Sequence, residues 1–178
     1  MQPESVTPGE LQQAIRNIPD FPKPGIQFKD ITPVLADSRL FRGCIELLTA
    51  PFKPGQVDAV VGIDARGFIF AAGAALQLNA GFVPVRKQGK LPHQTYEQDY
   101  ALEYGKATIA IHTDAFAPGS RVLLVDDLLA TGGTAAAAAQ LVEKAGARIV
   151  EVVFLIELDA LRGREKLRDW PVRSLVVF

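Results

Sequence analysis

The sequence is poor in the residues on which thiol and metal chemistry depend. Its 178 residues include one cysteine, Cys44, and two histidines, His93 and His112. A single cysteine excludes an internal disulfide. Cys44 lies in an apolar stripe of helical spacing, which predicts a small buried hydrophobe rather than a reactive thiol. Neither histidine has a metal-ligand neighbour in the sequence, so no role is assigned to them.

An excess of charge of one sign and a long apolar run are also missing. The net charge is −1, which excludes a global basic surface for nucleic acid but leaves room for a local basic cluster that binds a small anion. The longest uncharged apolar stretch, Phe68 to Leu76, is too short for a membrane span. The first residues lack the basic and apolar segments of a secretory signal. We therefore expect a cytoplasmic protein without nucleic-acid or membrane partners.

The length and the 48% apolar content predict a single domain. From Val57 onwards, apolar strand patterns alternate with helical ones, which predicts a mainly parallel α/β sheet flanked by helices. The last clear strand pattern is Ile149 to Leu158. Ligands of such sheets bind at the carboxyl ends of strands, so we look for chemistry after Ile63, Val85 and Val125.

The N-terminal segment has clear helix signals. Thr7 and Glu10 have the spacing of a capping box, and the apolar positions that follow predict a helix that continues to Ile18 and stops at Pro19. The proline-rich residues 20–25 are then expected to be extended. A second amphipathic helix is predicted from Ser38 to Ala50.

One segment, Arg86 to Tyr104, is polar and lacks a clean period. A loop of about twenty residues inside a compact domain is usually a lid or a binding loop. We therefore predict a flexible lid here.

The strongest chemical signal follows the strand that ends at Val125. Asp126 and Asp127 come directly after it, and then a loop of small residues leads into a helix near Thr134. Small residues at a helix N-terminus expose N–H groups that bind phosphate, while adjacent carboxylates suit sugar hydroxyls or a divalent cation. The combination predicts a sugar-phosphate site.

Residues 122–134 resemble the phosphoribosyl-pyrophosphate (PRPP) motif of type I phosphoribosyltransferases. Five other segments resemble the adenine phosphoribosyltransferase family in the same order, and the similarity spans about residues 7–168: they are 21–31, 62–68, 86–92, 102–106 and 163–167. The resemblance implies the type I fold, with residues 1–35 as a small N-terminal hood and residues 55–160 as the α/β core.

The resemblance also implies the site residues. Phosphate and ribose are bound by Asp126, Asp127, Ala130, Thr131, Gly132, Gly133 and Thr134. Pyrophosphate is bound by Asp64 and Ala65, through an unusual peptide between them, and by Arg86, Lys87 and Lys90. Adenine is bound by Gln27, Phe28, Lys29, Arg66 and Leu128. Glu103 is the implied catalytic residue, which handles a proton on the base.

The implied reaction is purine salvage, in which adenine and PRPP give AMP and pyrophosphate. Mg²⁺ is expected to be carried by PRPP rather than by direct protein ligands, and a homodimer is expected. Two alternatives stay open at this point. One is a phosphoribosyltransferase for another purine such as xanthine, and the other is a PRPP-binding regulator without chemistry.

Overall fold

In the computed structural model, the structure describes residues 5–101 and 105–178. They divide into two compact units, Met1–Leu47 and Leu48–Phe178. The predicted boundaries of hood and core stay a prediction. No helix in the described part of the chain is long and apolar enough to cross a membrane.

The first unit begins with helix α1 and a two-stranded antiparallel sheet. The capping box at Thr7 and Glu10 is formed as predicted, with both reciprocal hydrogen bonds present. The elements are α1 (Pro8–Ala14), β1 (Arg16–Pro19), β2 (Gln27–Asp30), α2 (Thr32–Ala36) and α3 (Ser38–Thr49), which continues into the second unit. Cys44 is fully buried on α3, as predicted, and burial raises the pKa of its thiol to about 12.

Two predictions for this segment are wrong. Helix α1 does not continue to Ile18, because the chain leaves the helix at Ile15 and Ile18 pairs with Phe28 across β1 and β2. β-branched residues favour such a pleated arrangement over a helix. Residues 20–25 are a turn rather than extended, since Asp20 has φ +57° and its carboxylate accepts a hydrogen bond from the Gly25 N–H at 2.8 Å. The restriction on residues that precede proline does not apply to Asp20, because Phe21 follows it.

The second unit is built on a seven-stranded sheet in the order β5-β6-β4-β3-β7-β8-β9. Five neighbouring strands of this sheet run parallel, namely β4, β3, β7, β8 and β9. Strands β5 and β6 extend the sheet beside β4 as an antiparallel pair. The strands are β3 (Ala59–Ile63), β4 (Gly81–Lys87), β5 (Thr95–Ala101), β6 (Lys106–His112), β7 (Arg121–Leu129), β8 (Arg148–Glu157) and β9 (Val172–Val177). This is the predicted α/β class.

Two helices pack on this sheet, α4 (Gly67–Leu78) and α5 (Gly133–Lys144), both close to their predicted ranges. Four of the six buried residues of α5 are alanines, and the other two are Leu141 and Val142. The small alanine side chains let the helix lie close to the strands. Short 3₁₀ helices at Asp159–Leu161 and Gly163–Leu167 lead from β8 towards β9.

The structure departs from the sequence prediction at two strands of this unit. Residues 95–101 of the predicted lid form strand β5, whose Tyr96 and Tyr100 pack against the core beside α5. A structureless lid of about twenty residues is therefore wrong for this part. Strand β9 was not predicted, because Arg173 and Ser174 interrupt its apolar residues and it follows a polar segment without a helix pattern.

Opposite the predicted site, the amino ends of β3 and β7 are joined by Asp58 and Arg121. The Asp58 carboxylate accepts hydrogen bonds from the Arg121 backbone N–H at 2.7 Å, from Nε at 2.9 Å and from Nη2 at 2.7 Å. These hydrogen bonds hold the pKa of Asp58 well below its ordinary value.

Candidate active site

The acidic pair lies where the sheet changes its pairing. Strands β3 and β7 are paired only as far as Gly62 and Val125, whereas β7 continues beside β8 to Leu129. Asp126 and Asp127 are the next residues of β7. They remain paired with β8 on one side, where Asp126 lies opposite Phe154, but have no β3 partner on the other side, where the loop after β3 begins. The structure therefore brings together the two loops that the sequence marked.

Both carboxylates are held in an environment that disfavours their charge. Asp127 is 5% exposed, and Asp126 is half-buried. Burial is the main cause that raises the pKa of Asp126 well above its ordinary value, and the adjacent Asp127 charge raises it further. Burial also raises the pKa of Asp127, although Arg66 opposes this effect. A pair of neighbouring carboxylates with raised pKa values is typical of functional sites.

Arg66 supplies the positive charge closest to this pair. Its Nε lies 2.9 Å from Oδ2 of Asp127, and about two fifths of its side chain is exposed. Oδ2 of Asp127 is nevertheless buried and accepts no well-aligned hydrogen bond from the described residues. Buried carboxylate oxygens are normally hydrogen-bonded, so this oxygen is suited to a hydroxyl of a bound ligand.

Gly67, the first residue of α4, lies directly against Asp126. A Cβ on Gly67 would lie 2.6 Å from Oδ1 of Asp126 and 3.2 Å from the Val125 carbonyl oxygen. A larger residue would therefore push the carboxylate out of place. The same Oδ1 accepts a hydrogen bond from the Asp127 backbone N–H at 2.9 Å, which fixes the orientation of the Asp126 side chain.

The predicted phosphate loop forms a small cavity at the N-terminus of α5. The cavity is about 80 Å³ and is lined by residues 128–135, which include the predicted site residues Leu128, Ala130, Thr131, Gly132, Gly133 and Thr134. Gly132 caps the helix with φ +77°, a left-handed conformation that favours glycine. The loop and the helix start give the backbone N–H groups of an anion site.

A second reason for glycine at position 132 is its contact with the 3₁₀ helix that starts at Gly163. A Cβ on Gly132 would collide with the Gly163 carbonyl oxygen, and a Cβ on Gly163 would collide with the Ala130 carbonyl oxygen. The two backbones therefore touch without side chains between them. Residues 163–167 resemble the family in sequence, but the sequence alone assigned them no role. In the structure, they support the loop through this backbone contact.

The predicted pyrophosphate residues gather at the carboxyl ends of β3 and β4. The peptide bond between Asp64 and Ala65 is cis, at the position where the resemblance implied an unusual peptide. Arg86 donates from Nε to Oδ2 of Asp64 at 3.1 Å and from Nη1 to the Lys90 carbonyl oxygen at 3.1 Å. The guanidinium is thus oriented by the loop itself, and Lys87 is exposed at the end of β4.

The predicted adenine residues divide between the two units. Gln27, Phe28 and Lys29 lie in β2, in the first unit, whereas Arg66 and Leu128 belong to the second. The half-buried ring of Phe28 packs edge to face on the exposed Phe21, with ring centroids 5.2 Å apart. Glu103, the predicted catalytic residue, lies outside the described residues.

A comparison with known proteins decides the family. The family model described as phosphoribosyl transferase domain matches residues 34–177. The chain is also 60% identical to the adenine phosphoribosyltransferase of Acidothermus cellulolyticus over 169 residues, which cover 94% of this chain and 96% of that protein. The chain belongs to the adenine phosphoribosyltransferase family.

Solved structures of the family have the same fold. The crystal structure of adenine phosphoribosyltransferase from Rhodothermus marinus superposes with a TM-score of 0.91 at 54% identity, over 96% of this chain and 98% of that one. The Saccharomyces cerevisiae enzyme, complexed with an imino-altritol 1,6-bisphosphate and adenine, gives 0.89 at 43% identity, over 94% and 97%. The predicted fold and family are confirmed, and these relatives support neither a xanthine enzyme nor a regulator.

Proposed function

We propose that the chain transfers the 5-phosphoribosyl group of PRPP to adenine and releases AMP and pyrophosphate. The observation that carries this proposal is the buried Oδ2 of Asp127, which is ion-paired with Arg66 but accepts no aligned hydrogen bond from the described residues, next to the cavity lined by residues 128–135. A ribose 5-phosphate would place hydroxyl donors and a phosphate at these two neighbouring positions. The family relatives are named for this activity.

The 5-phosphate would be bound by the loop at the start of α5. Backbone N–H groups of residues 131–134 and the hydroxyls of Thr131 and Thr134 donate to its oxygens, and the helix N-terminus favours its charge. The ribose 2- and 3-hydroxyls donate to Asp126 and Asp127. Hydrogen bonds to charged groups stabilise by about 1.5–3 kcal/mol each, so the ionised form of each carboxylate would bind the hydroxyls more tightly than the protonated form.

The pyrophosphate group would lie over the loop at Asp64 and Ala65. Arg86 donates from the guanidinium that Asp64 orients, while Lys87 and Lys90 add positive charge. Charge that develops on the leaving pyrophosphate is stabilised by cations that are already in position. The basic residues would thus lower the barrier to cleavage of the C1–O bond.

Adenine would stack on Phe28, and backbone groups of Gln27 and Lys29 would read the edge of the base. Arg66 and Leu128 are proposed as further adenine-binding residues. In the reaction the bond from C1 to the pyrophosphate oxygen breaks, the N9 atom of adenine forms a bond to C1, and N9 loses its proton. We assign that proton to Glu103, since a positioned acid or base typically contributes ~10²–10⁴ in rate.

Mg²⁺ is proposed to enter with PRPP as part of the substrate. Magnesium retains several waters and is commonly held by substrate phosphates, so no direct protein ligand is proposed for it. We further propose a homodimer and a cytoplasmic location. Sedimentation of the purified chain tests the dimer directly.

The experiment that tests the proposed function is a panel of purine bases in a steady-state assay with PRPP and Mg²⁺. Adenine offers an amine and an unprotonated ring nitrogen where hypoxanthine offers a carbonyl and a ring N–H. Backbone C=O and N–H groups that pair with adenine would therefore leave two polar groups unpaired with hypoxanthine. We expect adenine to exceed hypoxanthine, guanine and xanthine by about 10³-fold or more in kcat/KM. A rate within tenfold for another base, or no turnover of adenine, would reject the proposal.

Variants of the residues then test the assignment of the site. Phe28→Ala should weaken binding of all purines and keep the selectivity ratio, because every purine has a stacking face. Glu103→Gln should lower kcat and kcat/KM together by ~10²-fold or more. A change confined to KM would show that Glu103 binds the base without handling its proton.

A further inference from the structure

The 3₁₀ helix Gly163–Leu167 lies beside the phosphate loop, and residues 162–166 carry three cations. Arg162 pairs with Glu165, with Nη1 4.0 Å from Oε1. Arg164 donates from Nε and Nη2 to the buried Glu157, both at 2.7 Å. Two of the three cations therefore have acidic partners.

Lys166, the third cation, has no carboxylate within 4.0 Å among the residues that the structure describes. Its Nζ lies 3.8 Å from the position that a Cβ would take on Gly133, the first residue of α5. The exposed ammonium group therefore stands at the N-terminus of the helix that ends the phosphate loop.

This location is electrostatically unfavourable for a cation in the absence of a ligand. The N-terminus of a helix carries partial positive charge, which repels an ammonium group and attracts an anion. A phosphate bound to the loop would reverse the balance, because it would attract both the helix start and Lys166.

The position of Lys166 is set by its neighbours rather than by its own contacts. Gly163 touches the loop backbone at Ala130 and Gly132, Arg164 is fixed by Glu157 and by the Val172 carbonyl oxygen at 2.9 Å, and Leu167 is fully buried. The segment is thus anchored on both sides of residue 166. An anchored lysine loses less freedom when it binds an anion than one on a mobile loop does.

We propose that Lys166 is a phosphate-binding residue of the sugar-phosphate loop, whose ammonium group pairs with the 5-phosphate of PRPP and AMP. This inference rests on the proposed function. It adds a side-chain cation, contributed by the segment after β8, to a site otherwise built from backbone N–H groups and two threonines.

The test compares Lys166→Met with Lys166→Arg and with Lys53→Met. Lys53 is an exposed lysine that precedes β3, so it lies at the amino ends of the parallel strands, whereas the phosphate loop lies at their carboxyl ends. Its loss removes the same charge at a distance from the loop. Calorimetric titration with AMP, and KM for PRPP and for adenine, are measured for each variant beside thermal unfolding.

We expect Lys166→Met to raise the Kd for AMP and the KM for PRPP by about tenfold, with the KM for adenine and the unfolding temperature unchanged. Lys166→Arg should retain most of the affinity, and Lys53→Met should behave like the unchanged chain. Equal AMP affinity in Lys166→Met and the unchanged chain would overturn the inference. So would a parallel rise in the KM for adenine with a lower unfolding temperature, which would show a structural role. If the unchanged chain bound neither AMP nor PRPP, the proposed function would fail and this inference with it.

Discussion

Arg66 and Asp127 form an ion pair between the loop after β3 and the end of β7, with Nε 2.9 Å from the buried Oδ2. The arginine opposes the effect of burial on the pKa of Asp127. It thereby favours the ionised form of the carboxylate that we propose as the acceptor for a ribose hydroxyl.

Loss of Arg66 should therefore make the enzyme more sensitive to acid. In Arg66→Met the pKa of Asp127 would rise further, so the carboxylate would be protonated at a higher pH and the acid limb of kcat/KM for PRPP would move upwards. Arg148→Met, at the amino end of β8, is the matched control and should keep the profile of the unchanged chain. An identical acid limb in Arg66→Met would contradict this role.

Asp126→Asn should stabilise the fold while it weakens nucleotide binding. A carboxylate whose folded pKa is raised keeps its proton in the folded state when the unfolded chain has lost it, so stability falls as the pH rises between the two pKa values and the penalty persists above them. Asparagine removes the charge and keeps an oxygen for the Asp127 N–H. We expect a higher unfolding temperature at neutral pH, and no gain at a pH below the ordinary aspartate pKa.

Nucleotide binding is measured for Asp126→Asn and for Asp127→Asn. At least one of the two variants should raise the Kd for AMP by about tenfold or more, since hydrogen bonds to charged groups contribute ~1.5–3 kcal/mol. Asp169→Asn, on an exposed residue beyond the 3₁₀ helix, serves as the control. Unchanged affinity in both variants would remove the acidic pair from the ribose site.

Gly132→Ala should be far more harmful than Gly146→Ala, although both glycines have similar positive φ values of +77° and +85°. An alanine at 132 would collide with the Gly163 carbonyl, whereas at 146 nothing lies within 4 Å of the new Cβ. Position 146 should cost only about 1–2 kcal/mol for the left-handed backbone, and position 132 a further ~1–3 kcal/mol for overpacking. Denaturant unfolding measures both, and Gly146→Ala should retain AMP binding. Equal losses of stability would show that the loop can move away from the 3₁₀ helix.

Hydrogen exchange should divide the predicted lid into two parts. Amides of β5 that bond to β6 should be protected without ligand, because the pair is regular from Thr95–His112 to Ala101–Lys106. The amides of residues 89–94, a turn region in which Pro92 has none, should exchange quickly and slow down when PRPP or AMP binds. Fast exchange along all of β5 in the absence of ligand would contradict the strand.

The sequence could predict what depends on local pattern. The capping box at Thr7, the alanine-rich helix α5 and the buried strand that leads to Asp126 all follow from residue spacing, and they are confirmed. Strand β5 could not be recognised from its polarity, because Tyr96 and Tyr100 are buried only by tertiary packing against the core beside α5. Strand β1 was misread for the same reason, since Ile18 suits a helix or a strand until Phe28 is known to pair with it.

The sequence could single out candidate site residues but not the contacts among them. The two carboxylates and the small-residue loop have a local signature. The Arg66–Asp127 pair and the contact of Gly132 with Gly163 join positions far apart in the chain, and no spacing rule reveals them. The role that we propose for Lys166 depends on such a contact as well.

The Asp58–Arg121 contact has a consequence for the order in which the protein folds. It joins residues 63 positions apart and marks the start of the β3–β7 pairing, whereas β5 and β6 are neighbours in the chain. Closure of a long loop costs more chain entropy than closure of a hairpin, and non-local pairing slows folding. Because Arg66 and Asp127 meet only after β3 and β7 have paired, the capacity to bind AMP should return in the slowest phase of refolding, after the hairpin has formed. A nascent or partly refolded chain would thus be structured at one edge of its sheet before it could hold a nucleotide.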